Sequence, residues 1–428
     1  MKSIENRYKE SIINELSLNT LLIVFPDGEY QSITEDNIVS ESMTLKQSVC
    51  DEEKLKFGGC ISSEFKIQLV NTEDRSFGND LVGKYINVKL TQTFPSSLYP
   101  AKTLYPSSSL YPEGDSVNYT WDLFSGYIDS AELDQSDNNV RSIIAYDSLA
   151  KLNETDGTDK LYGLWKNSDN GCSLEVLLKN CLNSNAKVNI SYDFGERLNE
   201  TLGAINRIVK NYLTMNRAWL ENYSKITYGE IIRNVCEMLG VFGFIRANSN
   251  HGVFNFIYAK GTDSPETYNS YEQFYAKEFQ TKGYTGAQLM IGVDSEKTSK
   301  TMTVQSGYRN NFDYENYYDL TDNIICWQEK EGTSAFHPFE DLYCGRTTDD
   351  QMAKRYIYTP VTATLDCRLW VEPGDKIIIK RPKTNVNGDY LYDSKGDVII
   401  ESTESFVFSR TITGIKALTD QIEAKGVQ

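Results

Sequence analysis

Two histidines, eight cysteines and sixty acidic side chains bound the chemistry open to this chain of 428 residues. His251 lies in Asn248-Ser249-Asn250-His251-Gly252, the composition of a hairpin turn, and His337 precedes Pro338, so both read as exposed loop residues. Neither has a second ligand at zinc spacing. The cysteines (Cys50, Cys60, Cys172, Cys181, Cys236, Cys326, Cys344 and Cys367) form no CxxC pair and read as free, mostly buried thiols, because a chain this long needs no disulfide staples. Asp134-Gln135-Ser136-Asp137-Asn138-Asn139 and Asp393-Ser394-Lys395-Gly396-Asp397 look superficially like calcium loops. Neither supplies the glycine and the distal bidentate Glu of an EF-hand, and both read as solvated hairpin turns. Glu329 with Glu331 and Asp349 with Asp350 could serve glycoside hydrolysis, which needs carboxyls about 5 to 9.5 Å apart across a cleft, but sixty acids make such pairs inevitable. No Gly-x-Ser-x-Gly elbow and no phosphate-cradling GxxxxGK[ST] or GxGxxG occurs. The residues therefore assign no catalytic, cofactor-binding or metal-binding role, and the chain reads as a non-enzyme.

Charge narrows the partners. Lys and Arg number 43 against 60 Asp and Glu, a formal charge of −17, which argues against a protein that grips nucleic acid. With 40% hydrophobic and 24% charged residues the chain is globular in composition. The start, MKSIENRYKESIINELSL, has no apolar run leading to a small-residue cleavage site, so no signal peptide is read. The apolar runs fall far short of the roughly 18 residues that span a bilayer, and no stable membrane insertion is expected. The 28 Tyr, 18 Phe and 5 Trp suit sugar stacking and protein interfaces alike.

The elements that would position such groups are mostly strands. Ile4, Tyr8, Ile12, Ile13 and Leu16 make one stripe of a short amphipathic helix, giving an N-terminal helix over 1–19. Residues 20–150 alternate β-branched and aromatic positions between turns and read as a first β-barrel domain. A Tyr-Pro insertion loop over 94–120 interrupts it. There SSLYP, KTLYP and SSLYP recur with a period of six, and Pro cannot occupy a central strand. Its Tyr99, Tyr105 and Tyr111 form a possible partner-contact loop. Residues 151–265 read as an α/β domain, with helices expected over 173–182, 199–220 and 227–239. The last of these opens with the capping box Thr227…Glu230 and stops at Gly240, and two strands follow, joined by a turn at 248–252. Residues 266–350 are a mixed α/β domain, and 351–428 a second β-barrel domain with turns at Pro373-Gly374, Asn387-Gly388 and Lys395-Gly396. The fold class is α+β and multidomain: two β-barrel-like domains of similar topology with intervening α/β modules.

That similarity is an apparent internal repeat. Gly83 matches Gly374, Ile86 matches Ile377, Val88 matches Ile379 and Lys89 matches Lys380. Farther on, Arg141 is paired with Arg410, Ile143 with Ile412, Ala145 with Gly414 and Leu149 with Leu418. Each copy begins at a glycine turn and its period of two places matching side chains on one sheet face. Two equivalent barrels per chain would let three chains meet a six-fold neighbour.

Ile38-Val39-Ser40-Glu41-Ser42-Met43-Thr44-Leu45, followed by Leu55-Lys56-Phe57-Gly58-Gly59-Cys60 and Ser63-Glu64-Phe65, resembles the opening of tail hub proteins from phages and prophages of Gram-positive bacteria. Arg141 to Leu149, Thr227 to Ile245, and the closing Ser405 to Asp420 with Glu423-Ala424-Lys425-Gly426 are similar to later parts of that family, in the same order. The resemblance implies a homotrimeric structural hub at the virion tail tip, assembled in the host cytoplasm. It would join the six-fold tail tube or distal tail ring to three-fold tip parts. Its partners would be the distal tail or tail tube protein, the tape-measure protein's C-terminus, and receptor-binding or fibre proteins. DNA would pass along its channel without specific binding. Many relatives continue into a fibre, lysozyme or endopeptidase; this chain stops eight residues after Asp420, so the resemblance brings no enzymatic domain. A host-surface carbohydrate binder using the Tyr-rich loops, and a peptidoglycan hydrolase, are the alternatives.

Overall fold

The computed structural model describes residues 17–49, 58–94, 117–160, 163, 174–182, 191–193, 213–215, 225–239, 241–248, 252–257, 266–269, 274–276, 286–291, 298–303, 317–320, 323, 325–327 and 358–427. The stripe over residues 3–16, both histidines, Gly240, the two carboxylate pairs, and Tyr99, Tyr105 and Tyr111 lie outside them.

The described chain is β-rich, with three sheets and short helices. The first repeat contains β1 (Leu18–Val24), β2 (Thr44–Ser48), β4 (Glu64–Val70), β5 (Tyr85–Phe94), β6 (Val117–Leu133) and β7 (Val140–Asp147). They pair in the order β2-β4-β7-β6-β5-β1. The second contains β12 (Glu266–Asn269), β13 (Phe274–Ala276), β18 (Tyr358–Asp366), β19 (Lys376–Pro382), β20 (Ile400–Thr413) and β21 (Thr419–Val427). Their order is β13-β18-β21-β20-β19-β12. Taken in chain order within each repeat, these are the same arrangement. One pairing differs, because β1 runs antiparallel to β5 whereas β12 runs parallel to β19. Alternating burial in β4 and β7 follows from the period-two placement of Phe65, Ile67, Leu69 and of Ile143, Ala145.

Registers coincide as well as order. Gly83 and Gly374 both have positive φ, 82° and 93°, and their amides donate to Ile128 and Val407 at 2.8 Å each. Those two residues immediately precede a bulge, at Ile128/Ser130 in one repeat and Val407/Ser409 in the other. Ile86 faces Gly126 as Ile377 faces Ser405, and Val88 faces Phe124 as Ile379 faces Thr403. In the outer ladder Phe65 faces Ala145 as Val361 faces Ala424, and Ile67 faces Ile143 as Ala363 faces Ile422.

The second half of the sequence pairing is displaced by one strand. Arg141 and Ile143 stand on β7, whereas Arg410 and Ile412 stand on β20, the counterpart of β6. By register Arg141 corresponds to Asp420, Ile143 to Ile422 and Ala145 to Ala424, while Arg410 corresponds to Ala131. The match arose because both arginines have an isoleucine two residues on, and period-two strands on the same face resemble one another.

Boundaries also differ from the expectation. β12 and β13 belong to the second repeat's sheet rather than to a separate mixed module, and Leu18 already opens a strand. β6 begins at Val117, inside the segment read as a loop. Within the segment read as a helix over 199–220, β9 (Leu213–Met215) is a strand antiparallel to β17 (Ile325–Trp327). Spacing of apolar residues alone does not separate a helix from a short sheet-borne segment. The remaining strands of that sheet are β14 (Gly286–Ile291), β15 (Thr298–Thr303) and β16 (Tyr317–Leu320).

Between the repeats lies the α/β module. Its sheet orders β3 (Gly59–Cys60), β10 (Phe242–Arg246), β11 (Val253–Ile257) and β8 (Ser191–Asp193) as β3-β10-β11-β8, and helices α1 (Ser148–Glu154), α2 (Leu174–Leu182) and α3 (Tyr228–Leu239) accompany it. The capping box is formed: the Glu230 amide donates to Thr227 Oγ1 at 3.2 Å and the Thr227 amide to Glu230 Oε2 at 2.8 Å. Ile231, Ile232, Val235 and Cys236 bury the helix face, and Cys60, Cys181, Cys236 and Cys367 take part in no disulfide.

Candidate interface at the junction of the two repeats

β20 is a long strand that serves two neighbours along one edge. Before its bulge, Ile400–Phe406 pair with β19; after it, Ser409–Thr413 pair with β2 of the first repeat. A bulge adds one residue and increases twist, which lets one strand leave one neighbour and meet another. The junction ladder runs Thr44 to Thr413, Leu45 to Ile412, Lys46 to Thr411, Gln47 to Arg410 and Ser48 to Ser409. At its ends the Val49 amide donates to Phe408 O at 3.0 Å and the Gly414 amide to Met43 O at 3.1 Å. Ile412, 2% exposed, thereby joins the first repeat's core with Met43, Leu45 and Phe65.

Glu41 fixes the turn that follows. Its φ of 57° is the left-handed region, a strained choice for a side chain with a Cβ, and it aims the carboxylate at the Ile415 and Lys416 amides, 2.8 and 3.0 Å away. Burial pushes the Glu41 carboxyl up, but the amides of Ile415, Lys416 and Ala417 outweigh it and hold the group below its usual range. Gly414, at φ 84°, must be glycine: a Cβ would stand 2.3 Å from Ala417 O.

Beneath the junction Arg410 and Asp420 are both fully buried and paired, and Arg410 Nη1 donates to Val371 O. Burial opposes the guanidinium charge, yet Asp420, Cys367 and Tyr268 outweigh it and hold Arg410 above its ordinary range. Arg368 lies 4.0 Å over the Tyr268 ring and donates to Thr267 O at 2.8 Å, so the same cluster anchors edge strand β12. Arg141 has a different role: its Nη1 donates to Asn79 Oδ1 at 2.9 Å and to Ala131 O, crossing beneath β6.

The α/β module holds both repeats. Arg246 at the end of β10 forms a two-pronged pair with Glu372, Nε to Oε1 at 2.8 Å and Nη2 to Oε2 at 2.6 Å. The following Asn248 is joined to Ser125 of β6 through its carbonyl at 3.0 Å. On the first repeat's side Asp147 caps α1 through the Leu149 amide at 3.0 Å and also accepts from Ser62 Oγ and the Ser63 amide, both at 2.8 Å. Complete burial pushes its carboxyl up to about 6, against those hydrogen bonds. A small, partly open crevice with room for about one water lies where the three parts meet, lined by Leu45, Leu123, Phe244, Arg246, Glu372 and Ile412 among others.

Among the described residues no group of three or more His, Cys, Asp or Glu is placed to hold a metal. The two acidic turns bond to themselves: Asp134 Oδ1 accepts the Ser136 amide at 2.8 Å, and Asp393 Oδ1 accepts the Lys395 and Asp397 amides at 2.8 and 2.9 Å. The junction ladder, the Arg246–Glu372 pair and the Asn248–Ser125 bond join the two repeats and the α/β module.

No protein-family model and no curated protein matches the chain. Among solved structures it is similar to the tail protein from Neisseria meningitidis MC58, at 7% identity and TM-score 0.44 over 96% of each chain. It is similar also to the 43 kDa tail protein of prophage MuSo2 from Shewanella oneidensis, at 11% identity and TM-score 0.45, over 95% of this chain and 97% of that one. A third is the E. coli c3393 protein, a component of the type VI secretion system, at 6% identity and TM-score 0.36, over 95% of this chain and 76% of that one. All three TM-scores fall below 0.5.

Proposed function

We propose that this chain is a structural, non-enzymatic hub of a phage tail or phage-tail-like particle. It would act as a homotrimer in which two rolled β units per chain present six like surfaces to a six-fold tube or distal ring. The observation that supports this reading is the repeat itself: six strands in one order, with the glycine turn, the bulge and the outer ladder in register. Duplication within one chain is a direct way to match three copies to six partners. The ordered resemblance of its sequence segments to tail hubs points the same way.

The sequence segments between β5 and β6 and between β19 and β20 hold the same place in the two repeats. The first contains Tyr99, Tyr105 and Tyr111; the second exposes Val386, Tyr390 and Tyr392. The exposed Val386, Tyr390 and Tyr392 suit contact with the distal tail, tape-measure or fibre proteins. The chain's charge of −17 would keep a central channel from holding DNA phosphates. Immunogold labelling of intact particles from cells that encode the chain tests the assignment. Label at one tail end is expected; label on the head, along the tube or nowhere on the particle would overturn it.

A further inference from the structure

The cis junction covers the far half of β20, and among the described residues no strand pairs with the same half of its counterpart β6. Beyond the bulge, β6 continues through Ser130–Leu133 against β7, as β20 continues through Ser409–Thr413 against β21, and the turns 135–139 and 414–418 are equal in length. The Asp134 amide donates to Val140 O at 2.9 Å, so by alternation the amides of Leu133 and Ala131 point away from β7. Among the described residues no strand pairs with Ser130–Leu133 on that side. Ala131 O takes Arg141 with one of its two lone pairs. Leu133 is 49% exposed where its counterpart Ile412 is 2% exposed, buried in the other repeat's core.

The other half of the junction has a counterpart too. β2 lies outside β4 as β13 lies outside β18, and β13 ends the path of the large sheet. Leu45 faces Phe65 and Ala276 faces Val361, so by register Ala276 corresponds to Leu45. The sequences agree: Glu41 and Lys46 have the spacing of Glu272 and Lys277. Transferring the cis register sets Ala276 of a second copy against Leu133 and Tyr275 against Asp134.

We infer that β13 of a second copy of this chain adds to the outer edge of β6, so that the junction made in cis between the repeats is made again in trans between chains. Cis and trans junctions then alternate, each head-to-tail, and the ring closes when the sixth repeat meets the first. This deepens the trimeric reading above and rests on it.

The full chain is compared by light scattering with Leu133→Lys and Leu133→Pro, the latter deleting the outward amide while sparing the ladder to β7. Wild type is expected at three times 48.7 kDa, and both variants at 48.7 kDa with unchanged circular dichroism. Oxidation of an Asp134→Cys/Tyr275→Cys double variant should give a covalent three-chain ladder that neither single variant gives. Wild-type trimers whose Leu133 variants are also trimers, or a double variant that does not cross-link, overturn the strand pairing and leave the hub reading standing. A wild-type chain at one-copy mass overturns both.

Discussion

The two repeats share their ladders and part company in what they bury. In the second, a charged pair, Arg410 with Asp420, sits under the sheet and is fully enclosed. In the first, the positions in register are Ala131 and Arg141, so the cation has moved one strand over and holds neutral oxygens of Ala131 and Asn79. Each solution ties the turn before the glycine to the strands behind it. The repeat therefore preserves backbone register and a buried guanidinium near one turn, while the strand that supplies the guanidinium is free to change.

That contrast can be broken first by charge. Arg410→Ala should destabilise the chain by about 3–5 kcal/mol, because it leaves Asp420 buried without a partner, while Arg141→Ala, which strands only neutral acceptors, should cost about 1–3 kcal/mol. Denaturant melts of the two variants check the order, and equal losses would remove the distinction. A second asymmetry is acidic. Asp147 in the first repeat corresponds to Gly426 in the second. With the folded carboxyl at about 6 and the unfolded one at 3.8, the folded state binds more protons between those values, so this group's contribution falls as pH rises from 4 to 6 and is level above that. The loss is about 3 kcal/mol relative to Asp147→Asn, at about 1.4 kcal/mol per unit, and paired melts from pH 4 to 7 read it.

The glycine turns offer a finer comparison. Gly83→Ala has open space for its methyl, so only the φ of 82° resists it, at about 1–2 kcal/mol. Gly374→Ala at φ 93° carries the same backbone cost at a buried position, so its loss should be at least as large, and a smaller one would show that the turns are not equivalent. Smallest is the methyl at the junction. Ile412→Val should cost about 1 kcal/mol by thermal melt, whereas Leu133→Val in an isolated chain should stay within about 0.5 kcal/mol.

Much of this was readable in the residues. The hairpin from Gly83 and Gly374 through Ile86, Val88, Ile377 and Ile379 shows because a glycine turn and a period of two are both local signals. The capping box at Thr227 shows for the same reason, its two partners lying three residues apart. Arg141 and Arg410 misled because each has an isoleucine two residues on, a period-two mark that does not say which of two neighbouring strands carries it. The β2 and β13 correspondence was present in the matched spacing of Glu41, Lys46, Glu272 and Lys277, but two charges five residues apart have meaning only once the neighbouring strands are known. Arg246 with Glu372 joins positions too distant in sequence for any local pattern to reveal.

A three-dimensional reconstruction of the purified chain tests the duplication most directly. Three copies are expected around one axis, with first and second repeats alternating at a common radius so that six similar lobes surround the channel. A ring in which the two repeats sit at different radii, or a particle without three-fold symmetry, would contradict it.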